Sequence, residues 1–150
     1  MNNPACLSFV EAKRIADAAV ESLLATGQKA NICVVNVYKR PLVKFSMDET
    51  RESTGTIATK KARLSAHTGR RTRYLRDEFK KPDGDLTPAL FGIKKEDEVP
   101  YAGGVPIYFE VFQGKSILLG AIGISELSEN DDEQHAVNAV ENCGYLSDRF

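Results

Sequence analysis

The chain has 150 residues, of which 42% are hydrophobic and 27% charged, and its formal net charge is −1. That balance is too apolar for a disordered chain, and the length suits one domain, expected to span 1–150, with a core of its own. A charge so near zero aims no field at nucleic acid or a membrane surface, and it leaves self-association open.

Three cysteines, Cys6, Cys33 and Cys143, are far apart and form no CxxC pair. This argues against structural zinc and against a secreted disulfide framework. No charged segment followed by an apolar run opens the chain, and no stretch reaches the roughly 18 apolar residues of a membrane span. The expectation is a cytoplasmic protein without a membrane segment.

Ser8 and Glu11 fit a capping box, and Phe9, Ala12, Ile15, Ala16, Ala19 and Leu23 recur at helical spacing up to Gly27. A buried strand follows over 31–37, a turn at Arg40-Pro41, and an alternating second strand over 42–47. Residues 48–55 read as a polar loop, and 56–66 as a helix stopped at Gly69. Thr72 is placed as the cap of a shorter helix ending near Phe79, Lys81-Pro82-Asp83-Gly84 as a turn, and 86–90 as a short helix. A strand opens at 101–107 and runs to Phe112. Gln113-Gly114-Lys115 turns it into another strand over 116–125, and Ser128 caps a last helix with an acidic first turn. Antiparallel hairpins flanked by helices mean an α+β sandwich, not alternating βαβ units.

Three segments in this order resemble the GlcG/HbpS-like family, also called the haem-degrading domain family. They are Ala58-Thr59-Lys60-Lys61-Ala62-Arg63 leading to Thr72, Gly103-Gly104-Val105-Pro106-Ile107, and Gly120-Ala121-Ile122-Gly123-Ile124-Ser125 followed by Asp131-Asp132. The resemblance covers about 9–142. It implies a profilin-like α-β-α sandwich with a central antiparallel sheet, assembly into homo-oligomers, and a haem or other tetrapyrrole ligand. Haem degradation or iron release is implied for some members only. The chain departs from the family at two loops. Asn36-Val37-Tyr38-Lys39-Arg40-Pro41 replaces an Asp-Gly-Gly-like hairpin, and Glu49-Thr50 replaces Gly-Ala after Met47-Asp48.

His67 is the main candidate for chemistry. It would offer an imidazole nitrogen to iron, or act as acid or base with Lys61. The plainer explanation is a half-exposed helix histidine among cations. Arg63 and Arg71 belong to a basic run over 60–81 and would suit haem propionates. The plainer explanation of the run is a solvated helix surface or a partner for the acidic terminal helix, and no motif or aromatic interleaving supports nucleic-acid binding. Gly103 and Gly104 would either form an anion-binding nest or simply turn the chain, and with Val105 and Pro106 they enter the ligand-binding set through the family motif. Ser125 at a strand end and Tyr38 in the altered loop complete that set. His135 follows Asp131 by four residues, so a local ion pair explains it, and a metal site with Asp131 and Asp132 is the sharper alternative.

These residues lead first to a haem- or tetrapyrrole-binding homo-oligomer without membrane or nucleic-acid partners. A second reading is a small-molecule isomerase, lyase or cyclase on the same scaffold, using His67 and Lys61, with the Gly103-Gly104 amides holding an oxyanion. A third is a non-catalytic accessory protein of a metabolic pathway.

Overall fold

A computed structural model describes residues 6–81, 87–88, 92–94 and 101–148. Helix α1 (Phe9–Ala25) begins where expected, with the Ser8 hydroxyl accepting the Glu11 N–H at 3.2 Å. Its Ala12, Ile15, Ala16, Ala19 and Leu23 are buried. Strand β1 (Asn31–Asn36) is buried on both faces, whereas β2 (Pro41–Ser46) is mostly exposed or half-buried. Helices α2 (Glu52–Thr68) and α3 (Thr72–Phe79) follow. Strands β3 (Gly104–Phe112) and β4 (Lys115–Ser125) form a hairpin, and α4 (Glu129–Asn142) closes the order. The hairpin turn takes positive φ at both Gln113 and Gly114, as the right-handed twist of the flanking strands demands. Of the short helix expected over 86–90, only 87–88 are among the described residues.

The strands form one antiparallel sheet in the order β2-β1-β4-β3. Helices α1 and α4 cover one face, over a core that includes Ile32, Val34, Val105, Ile107, Ile122 and Ile124. Each such side chain, fully buried, contributes about 1.5–3 kcal/mol. Helix α2 covers the other face through small residues, Ala58, Ala62 and Ala66, at a spacing of four. The α-β-α sandwich is therefore the observed fold.

Gly123 of β4 sets how closely α2 approaches. A Cβ on Gly123 would run into the Ala58 carbonyl and lie 2.7 Å from the Ala62 nitrogen. Only a residue without a side chain lets helix and strand backbones meet at this distance.

Strand β3 begins at Gly104 and not at 101, and two further boundaries differ from expectation. Helix α2 begins at Glu52, inside the segment read as a loop. Its first turn is held from a distance: Glu126 accepts the Thr54 hydroxyl and the Arg51 N–H, and pairs with the Arg51 guanidinium at 3.3 Å. The Thr54 hydroxyl also reaches the Arg51 carbonyl at 2.8 Å, so the distant carboxylate mainly supplies the Arg51 amide with its acceptor. Thr72 does not cap α3, whose N-cap is Arg71. The Thr72 hydroxyl instead accepts the Gly104 N–H at 2.9 Å, tying α3 to the start of β3.

Candidate functional site

Packing of the Ala58, Ala62 and Ala66 edge of α2 against the sheet leaves Arg63 and His67, four residues apart, on its outer side. An open cleft of about 150 Å³ lies there. Leu64 and Ile93 give it apolar walls, and Lys39, Arg63 and Lys94 bring cations to it beside His67. Lys39 reaches the cleft from the β1–β2 turn. Asn36 shapes that turn: its side-chain oxygen accepts the N–H groups of Tyr38 at 3.0 Å and Arg40 at 3.1 Å, and Lys39 sits at φ 66°.

Lys39 Nζ lies 3.2 Å from His67 Nδ1. An ammonium has only donors, so Nδ1 accepts and the proton of the neutral ring sits on Nε2. Gly92 lies against that second nitrogen, since a Cβ built there would be 3.6 Å from Nε2. A metal bound through Nδ1 would displace Lys39, and one bound through Nε2 would displace the segment 92–94 and move the ring proton.

The structure brings together His67 and Arg63 but not the other expected site residues. Lys61 lies on the inner side of α2. Its Nζ is 3.1 Å from Asp132 Oδ2 and donates to the Ile124 carbonyl at 3.0 Å. Burial lowers the Lys61 pKa and raises that of Asp132, and the charge of each partner opposes the other's shift. Lys61 does not line the cleft, so an acid-base pair of His67 with Lys61 has no geometry here.

Gly103 and Gly104 serve that buried pair. A Cβ on Gly103 would lie 2.8 Å from Lys61 Nζ and 2.6 Å from the Ile124 carbonyl oxygen. One on Gly104 would lie 2.5 Å from the Lys61 carbonyl oxygen and 2.6 Å from a Thr72 methyl. With the Gly104 N–H already donated to Thr72, the two amides do not make an open nest. Val105 is in the core under α1 and α4, Pro106 pairs with Ala121, and Ser125 is buried opposite Asn31. Tyr38 is exposed on the turn beside Lys39. Arg71 belongs to a different cleft, where it donates to Ser147.

His135 is also structural. It is buried, with Nδ1 2.7 Å from the Ser22 hydroxyl and Nε2 2.7 Å from Gln28 Oε1. The amide oxygen only accepts, so Nε2 carries the proton and Ser22 donates to Nδ1. The expected local pair with Asp131 is replaced by this clamp to Ser22 of α1 and to Gln28 just beyond it, while Asp132 turns away to Lys61. Among the described residues no group of His, Cys, Asp and Glu is arranged to hold a metal ion. None of their helices is long and apolar enough to cross a membrane.

Sequence reading missed Lys39 and Lys94. Lys39 sits beside Tyr38 in the loop that departs from the family, which was the available signal. Lys94 had none.

The fold and cleft define a small α+β sandwich protein with a basic, histidine-bearing groove on one helix. Over residues 7–141 the chain matches the family described as haem degrading protein HbpS-like, and it belongs to that family. No curated protein matches it. Among solved structures it is similar to PduOC in a haem complex, with a TM-score of 0.82 and 22% identity over 96% of this chain and 99% of that one. Klebsiella pneumoniae protein ORFY gives 0.79 and 20% over 95% and 93%. A double mutant of Streptomyces reticuli HbpS gives 0.77 and 23% over 96% and 91%. At these identities the likeness is one of fold.

Proposed function

We propose that this chain binds a haem or closely related tetrapyrrole across the outer face of α2, with His67 as the iron ligand. The observation that carries the reading is the cleft itself, where an exposed imidazole meets three cations, Lys39, Arg63 and Lys94, between apolar walls. The donor set fits the group. Imidazole nitrogen is a common ligand of haem iron, cations suit the two propionates, and Leu64 and Ile93 would suit its apolar ring. When bound, the group would supply the redox and ligand-binding chemistry of its iron. His67 would hold the iron, and Lys39 and Arg63 would offer their charges to the propionates.

Family membership supports the reading, as does a fold neighbour crystallised with haem. The proposal is for binding. Iron release and ring degradation remain with the family's description, and a cytoplasmic location with the sequence expectation. Homo-oligomer formation belongs to the same reading, and exposed Phe109, Val111 and Phe112 on the β3–β4 hairpin are the apolar surface it would cover.

The test is a haem titration of the purified chain followed by visible absorption, alongside His67→Ala. A saturable Soret band at about one haem per chain, altered in the variant, is the expected result. No saturable band, or an identical spectrum in the variant, overturns the assignment.

A further inference from the structure

A second cleft, of about 240 Å³, lies between α3, α4 and the C-terminal segment. Arg70, Arg71, Arg73, Tyr74, Asp77, Glu133 and Asp148 line it, none of them lines the His67 cleft, and Asp77 is paired with Arg76 at 3.0 Å. Its charges are unevenly matched. Arg73 Nε donates to Glu133 Oε2 at 2.9 Å. Arg71 donates to the Ser147 carbonyl and hydroxyl at 3.1 and 2.8 Å, and is 3.6 Å from Asp148. Arg70 pairs with no carboxylate among the described residues. Its guanidinium lies 4.3 Å over the Tyr74 ring, which fixes its plane while leaving its N–H edge for a ligand. Glu133 Oε1 is buried and has no hydrogen-bond partner there.

We propose that this cleft binds a small organic anion that also carries a hydroxyl group. Arg70 and Arg71 take the anionic end, a carboxylate or phosphate, through the guanidinium fork. Glu133 Oε1 accepts a hydrogen bond from the ligand's hydroxyl. Arg73 already neutralises the Glu133 charge, so this end of the cleft wants a donor and not a second cation. A buried acceptor left without a partner is costly, and the ligand's hydroxyl removes that cost.

The experiment is calorimetric titration of the full chain with two probe pairs, glycerate against propionate and glycerol 3-phosphate against inorganic phosphate. In at least one pair the hydroxyl-bearing probe binds saturably and about two- to tenfold more tightly than its counterpart. Arg70→Gln, at a half-exposed position, weakens that probe about tenfold and leaves the thermal midpoint unchanged. Glu133→Met removes the preference for the hydroxyl while the plain anion binds at least as well. If Glu133→Met does not fold, Arg70→Gln carries the test. No saturable binding of any probe, or unchanged affinity in Arg70→Gln, overturns the proposal. Haem titration of Arg70→Gln separates the two clefts, since that variant keeps the wild-type Soret response whether or not the anion site stands.

Discussion

Lys61 Nζ and Asp132 Oδ2 stand 3.1 Å apart with both side chains 3% exposed, joining α2 to α4 past the end of β4. The pair is a long-range tie between two helices on opposite faces of the sheet. Removing one partner strands the other's charge in the interior. Lys61→Met or Asp132→Leu is therefore expected to cost about 3–5 kcal/mol in chemical denaturation. The double variant should recover most of that loss, because it leaves no unpaired charge. Equal losses in the double and single variants would contradict this account.

The contact of α2 with β4 depends on Gly123. Gly123→Ala is expected to force the helix away from the sheet and to cost about 3 kcal/mol, near the upper end of overpacking penalties. The urea midpoint measures it. Ala58→Gly, which removes a buried methyl but leaves the Ala58 carbonyl in place, should not rescue the variant.

His135 makes stability depend on pH. Burial pulls its pKa below the ordinary value of 6.5, and the nearby charge of Asp131 opposes the shift. The unfolded chain thus binds the proton more readily than the folded one. Its contribution is fully present above about pH 6.5 and is lost as pH falls through the lower folded value. Urea midpoints at falling pH should show this loss in the wild type and a flatter profile in His135→Gln.

Arg63 and His67 share the cleft but have different expected roles. Arg63→Gln should weaken haem binding roughly two- to fivefold, the range of an exposed ion pair, without moving the Soret maximum. His67→Ala should move it. An Arg63 variant with an altered maximum would show that the ring, and not only a propionate, rests on this side chain.

Much of the fold could be read from the chain. The Ser8 and Ser128 caps, the alternation in β2 and the Gln113-Gly114 turn are local signals, and all appear where local chemistry puts them. The start of α2 at Glu52 could not be read, because the group that holds it, Glu126, is more than 70 residues away in sequence. The pairing of Arg63 with His67 on one helix face follows from a spacing of four, so half of the cleft was legible. The other half, Lys39 and the 92–94 segment, arrives from separate parts of the chain.

The sequence by itself determined the element order, the sandwich class and the family, since periodicity, caps and short motifs are written in neighbouring residues. Only the tertiary structure decided what the motifs are for. Gly103 and Gly104, open to reading as an anion nest, make room for Lys61 and Thr72. Lys61, open to reading as a catalytic base, is half of a buried ion pair whose other half lies 71 residues onward. A side chain's role follows from what surrounds it in space. Burial, which decides whether a charge is chemistry or structure, is a property of the packed molecule and not of the chain.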